Sequence, residues 1–127
     1  FIDAARSAQM LGIPYRWPRP DPVVQNLMTR EIAAEQPLIH RLCRMGQAAE
    51  RAGRGLAFAH EVATIIWSGT VDEWHEGDHL AVAAARAGLD FAALEAEAMA
   101  DAEALDAEIT ANHAALEAAG HWGVPTL

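Results

Sequence analysis

Beyond residue 81 the chain is dominated by alanine, and single glycines break it at intervals; this limits its fold more than any other feature. Alanine is the strongest helix former, because it gives up no side-chain entropy on entering a helix. The second half is therefore expected to be helical almost throughout. Gly12, Gly53, Gly69, Gly88 and Gly120 each follow a stretch of helical periodicity, as C-terminal stops do. They divide the chain into five or six short helices, with no repeat period and no low-complexity linker.

Apolar spacing places the helices. Residues 1–11 put Ile2, Ala5, Ala8 or Gln9, and Leu11 on one side. A second helix is expected from about Ala33 to Ala52, with Pro37 near its first turn, where a missing N–H costs least. Its stripe is Leu38, Leu42, Met45, Ala49 and Ala52, and its polar side carries Arg41, Arg44 and Arg51. Leu56, Phe58, Val62, Ile65 and Ile66 mark a third helix ending at Ser68-Gly69. Asp72 or Asp78 then caps a helix with Leu80, Ala83, Ala84 and Ala87, and Asp90 caps Phe91–Ala98. Asp101 opens the last helix, with Leu105, Ile109, Asn112 or His113, and Leu116 on its inner side. Residues 12–28 are irregular: Pro14, Pro18, Pro20 and Pro22 fix φ and remove donors, so the segment runs extended.

With 127 residues, 52% of them hydrophobic and 21% charged, the chain is one domain or part of one and is not generally disordered. Its net charge is −9, and all nine basic residues are Arg. Such a chain repels phosphate backbones, which argues against nucleic acid as a main partner. No apolar run is long enough to span a bilayer and no secretory-signal pattern opens the chain, so no membrane partner and a cytoplasmic location are expected. The single Cys43 excludes an internal disulfide framework and a CxxC pair within these residues. Phe1 starts in what reads as a helix already under way, and Trp122–Leu127 end in strand character without a partner strand. The chain is thus expected to be the middle of a longer protein, or ordered residues joined together.

Several constellations bear on chemistry. His75-Glu76-Gly77-Asp78-His79 matches H-E-x-x-H, which on a helix holds zinc with the Glu as general base. Gly77 and Asp78 suit a helix start better than a helix interior, and His113 and His121 lack the spacing of a third ligand. An exposed helix entrance with no metal is therefore expected. Cys43 lies in a helix interior with Arg44 projecting elsewhere, so it is expected as a small core or half-buried residue rather than a nucleophile. Arg16-Trp17-Pro18-Arg19-Pro20-Asp21-Pro22 joins a large ring and two guanidinium groups on a stiff backbone. It reads as one wall of a site for an anionic, aromatic or peptide-like ligand, or as a rigid connector whose Trp17 plugs the core edge. The acidic run Glu95, Glu97, Asp101, Glu103, Asp106 and Glu108 reads as a solvated face. In Gly123-Val124-Pro125-Thr126, a cis Val124–Pro125 bond would turn the Val124 N–H and C=O outward to pair with an extended peptide; a trans bond at a strand start is the alternative.

Gly12-Ile13-Pro14-Tyr15 after a helix, the Ala-rich helices, Ala87-Gly88-Leu89-Asp90 and Gly120-His121-Trp122-Gly123-Val124-Pro125-Thr126 resemble the thioredoxin-like family of 2-hydroxychromene-2-carboxylate isomerases. That family is close to kappa-class glutathione transferases and Dsb-type (DsbA family) disulfide oxidoreductases. The resemblance covers essentially the whole chain. It implies a chain that is mainly α: residues 1–29 a helix and Pro-rich loop of the thioredoxin-like part, 30–115 an all-helical insertion, and 116–127 the return through the cis-proline motif. It further implies glutathione as cofactor, in the cis–trans isomerisation of an aromatic acid. The Val124 backbone would pair with the cysteinyl unit, with Trp122, Gly123 and Pro125 around it. Trp17, Asp21 and Asn26 would fall in the loop lining the pocket for a small aromatic substrate. The family's Phe-Pro-x-Asn stretch is here Asp21-Pro22-Val23-Val24-Gln25-Asn26, a departure that bears on an Asn26 contact to glutathione. The family's catalytic Ser or Cys and its last strands have no counterpart in these residues, so the resemblance implies no turnover by the 127 residues alone. A homodimer is a possible assembly. A Dsb-type oxidoreductase, marked by Cys-x-x-Cys upstream, and a non-catalytic helical interaction module are the other readings.

Overall fold

A computed structural model describes residues 2–121, with six helices and no strand among them. They are α1 (Ile2–Leu11), α2 (Pro37–Arg51), α3 (Gly55–Trp67), α4 (His79–Arg86), α5 (Phe91–Ala100) and α6 (Ala102–Ala118). The chain is mainly α, as its composition dictates. Trp122, Gly123, Val124 and Pro125, and with them the expected cis bond and strand, lie outside the described residues.

The five glycine stops all have positive φ. At the end of α1, the Ile13 N–H bonds to the Ala8 carbonyl at 2.9 Å, a closure that needs a left-handed residue between them, and Gly12 supplies it at φ 66°. Asp90 caps α5 as expected, its Oδ1 accepting the Ala93 N–H at 2.9 Å. Asp78 and Asp101 occupy N-cap positions without a side-chain cap bond, and Asp72 pairs with Arg16 instead.

The start of α2 departs from the periodicity. The residue before a proline is driven out of the helical region, and Gln36 sits at φ −129° and ψ 62°. Its side chain turns back to the loop, with Nε2 donating to the Val24 carbonyl at 2.9 Å and Oε1 accepting the Val24 N–H at 2.8 Å. Residues 33–36 therefore belong to the connector, where Gln25 and Ile32 form one antiparallel bridge.

Helix α2 is the hub, packing on α3, α5 and α6, while α4 joins α3 to α5. The largest fully buried side chains are Trp74, Phe58, Met45 and Leu105. Trp74 enters the core from the α3–α4 connection, and its indole N–H donates to the Pro20 carbonyl at 2.7 Å, tying the Pro-rich segment to the bundle. Among the described helices, α1 packs on none of the others. On α6 only Leu105 is buried; Ile109 and Leu116 are half-buried, and Asn112 and His113 are exposed.

The acidic run stays partly solvated, with Asp101 and Glu103 exposed, and five of its six carboxylates are also ion-paired. Arg41 pairs with Glu95. Arg44 grips Asp106 through Nε and Nη2, at 2.8 and 2.6 Å. Arg51 reaches Glu108 at 2.5 Å, Asp101 at 2.8 Å and Glu97 at 3.2 Å. The polar side of α2 thus faces α5 and α6 across a seam of ion pairs. Hydrogen bonds from Arg44 hold the Asp106 carboxyl below its ordinary range, and those from Arg51 and then Gln47 do the same for Glu108.

Candidate functional site

Between the Pro-rich segment and the α2–α3 pair lies a groove of about 390 Å³. Its floor is Phe58, Val62 and Ile66, the core-facing stripe of α3. One wall is α2, through Ile39, Leu42, Cys43 and Gly46; the other is the connector, through Trp17, Asp21, Pro22, Val23 and Gln25, with Trp67 at one end.

The connector is held in place at several points. The Arg16 N–H bonds to the Trp67 carbonyl at 2.8 Å, and the Glu73 N–H bonds to the Arg19 carbonyl at 2.8 Å. Arg19–Pro20 is a cis peptide bond. Trp67 stacks on Tyr15, ring centres 6.0 Å apart, and meets Trp17 edge-on at 5.4 Å. Gly69 permits this docking twice over, since φ is 77° and a Cβ there would come within 2.7 Å of the Arg16 side chain. Asp21 organises the turn it starts: Oδ1 accepts the Val23 N–H and Oδ2 accepts the Gln25 amide, both at 3.0 Å.

Trp17 and Asp21 come together in this groove, and Asn26 does not join them. Its Oδ1 accepts the N–H groups of Met28 and Thr29, closing the turn that the 25–32 bridge frames. The two readings of Trp17 are both realised, since it edges the core against Trp67 and lines the groove. Arg16 points away, to the Val71 carbonyl at 3.3 Å and the Asp72 carboxylate, so it gives the groove no positive charge. Sequence reasoning missed Gly46, Phe58 and Trp67 as site residues. The available signal was Gly46, a poor helix former set in mid-helix: a Cβ built there meets nothing within 4 Å.

Cys43 corrects the expectation of a core or half-buried residue: it is exposed, on the wall of the groove. The surrounding side chains push its thiol up, and the nearby Asp106 carboxylate adds to this, so the thiol is not an activated nucleophile.

The H-E-x-x-H residues do not share a helix. Gly77 has φ 60° and α4 begins only at His79, which bears out the helix-entrance reading. Among the described residues, Glu73, His75 and Glu76 bring possible ligand atoms within 4.8 Å of one another. Glu73 lies 3.8 Å from Nδ1 and Glu76 3.9 Å from Nε2 of the same imidazole. Both carboxylates are exposed and His75 is half-buried; exposed acidic groups gather this way without an ion, and the trio is three side chains of one short connection. A wider cleft of about 660 Å³ beside His40 and Met99 is edged by Arg41 and Arg44, whose charges are already engaged by Glu95 and Asp106.

Among the described residues no helix is long and apolar enough to cross a membrane. Comparison with protein-family models, curated proteins and solved structures gives no match for this chain.

Proposed function

We propose that this chain is the helical part of a glutathione-dependent isomerase of the 2-hydroxychromene-2-carboxylate isomerase type, on a thioredoxin-like fold. Its groove would receive the ring of a small aromatic substrate. The observation that carries the reading is the groove itself: an apolar trough floored by Phe58 and Val62, with Trp17 and Trp67 set at right angles on its rim. Its volume and few polar groups suit a small aromatic ligand. The division into 1–29, 30–115 and 116–127 rests on the resemblance; α2 to α6 share one core and α1 packs on none of them, while α6 runs unbroken through residue 115 to Ala118. Glutathione is assigned to Trp122, Gly123, Val124 and Pro125 on the resemblance alone.

The test is binding and turnover in the intact protein. Isomerisation of an aromatic-acid substrate is expected to require glutathione, and Gly46→Phe, which fills the groove, is expected to raise KM or abolish turnover while glutathione binding persists. Turnover indifferent to glutathione, or untouched by a filled groove, contradicts the proposal.

A further inference from the structure

We propose that the groove selects by charge, taking an aromatic ring that carries a neutral or cationic hydrogen-bond donor and leaving a carboxylate outside. This rests on the groove being the ring-binding site. Among the described residues Asp21 is the one charged side chain in its lining, and no Arg or His lines it. Three basic side chains of the neighbouring elements are committed elsewhere, Arg16 to Asp72, Arg41 to Glu95 and Arg44 to Asp106, and the exposed Arg19 of the connector does not line the groove. Asp21 and Gln25 are the polar edge. An ionised carboxylate only accepts, so the Gln25 amide must present its NH₂ to Asp21, which turns its oxygen the other way. Each Asp21 oxygen keeps further acceptor capacity beyond the Val23 and Gln25 bonds. The edge therefore offers acceptors to a ligand. A hydroxyl or ammonium finds a partner there; a carboxylate loses its hydration, meets a like charge and finds no counter-ion in the lining. An acidic substrate would lie with its ring in the groove and its acid end toward solvent or another part of the protein.

Calorimetric titration of the folded chain with three matched probes tests this: 2-naphthol, 2-methoxynaphthalene and 2-naphthoate. At neutral pH, 2-naphthol is expected to bind tightest and 2-naphthoate at least roughly tenfold weaker, the scale on which a like charge a few ångströms away shifts a carboxyl equilibrium. Asp21→Asn is expected to close most of that gap, and Gln25→Lys to reverse the order. Equal or tighter binding of 2-naphthoate to the unaltered protein, or a gap unchanged in both variants, overturns the charge selection while leaving the groove as a ring site. If none of the probes binds or slows alkylation of Cys43 on the groove wall, the groove reading falls and the selection with it.

Discussion

At the scale of single residues, Gly46 shows a conflict between stability and space. Mid-helix glycine costs about 0.5–1 kcal/mol relative to alanine, and nothing within 4 Å of its missing Cβ explains its presence by crowding. Gly46→Ala should therefore stabilise the fold by about that amount in urea unfolding. A destabilised Gly46→Ala would show that the position is packed after all. Cys43 gives a second residue-level outcome. Although the residue is exposed, the side chains around its sulfur partly desolvate the thiol and raise it, and Asp106 adds to this, so alkylation should be slow at neutral pH and its rate should climb only above the ordinary thiol range, near about 8.5. A midpoint below that range would contradict the geometry. Of the residues named for the site from sequence, Trp17 and Asp21 meet, because proline stiffness keeps the connector extended along α2 and α3. Asn26 is drawn into its own turn, a local hydrogen-bonding preference that spacing alone does not reveal.

At the scale of elements, α6 is held by one buried leucine and a line of ion pairs. Leu105 is fully buried, and truncating it to alanine should cost about 2–5 kcal/mol, read as a lower unfolding midpoint. The ion pairs make the packing of α2 on α6 dependent on pH. Asp106 and Glu108 have carboxyls lowered in the folded state, so their contribution is present above the unfolded carboxylate range and is lost as pH falls below about 4 through the folded values. The replacements Arg44→Met and Arg51→Met should flatten that acid limb; an unchanged limb would mean the pairs contribute nothing measurable. The helices themselves were legible in the sequence, because glycine stops, the Asp90 cap and the apolar stripes are local signals. The beginning of α2 was displaced by Pro37 acting on its predecessor. The acidic run is partly solvated as expected, but its pairing with α2 was not legible because a charge pattern does not say which helix will face it.

At the scale of the whole molecule, five helices share one core, and a stiff connector is laid across two of them and pinned by Trp74 and Trp67. The mainly α architecture followed from alanine and glycine. The groove did not, because it arises where α3 turns its buried stripe toward a segment more than thirty residues earlier, a long-range match that periodicity cannot encode. Trp74, buried from a connection with no periodic pattern, escaped notice for the same reason. The account stands or falls on whether that groove holds a ring. The most direct measurement is a heteronuclear NMR titration of the isotope-labelled chain with 2-naphthol. The account predicts saturable shifts concentrated at the Trp17 and Trp67 indoles and at the Gly46 and Gln25 amides, with α6 beyond Leu105 unmoved. Shifts gathered in the cleft beside His40 and Met99, or none at saturation, would contradict it.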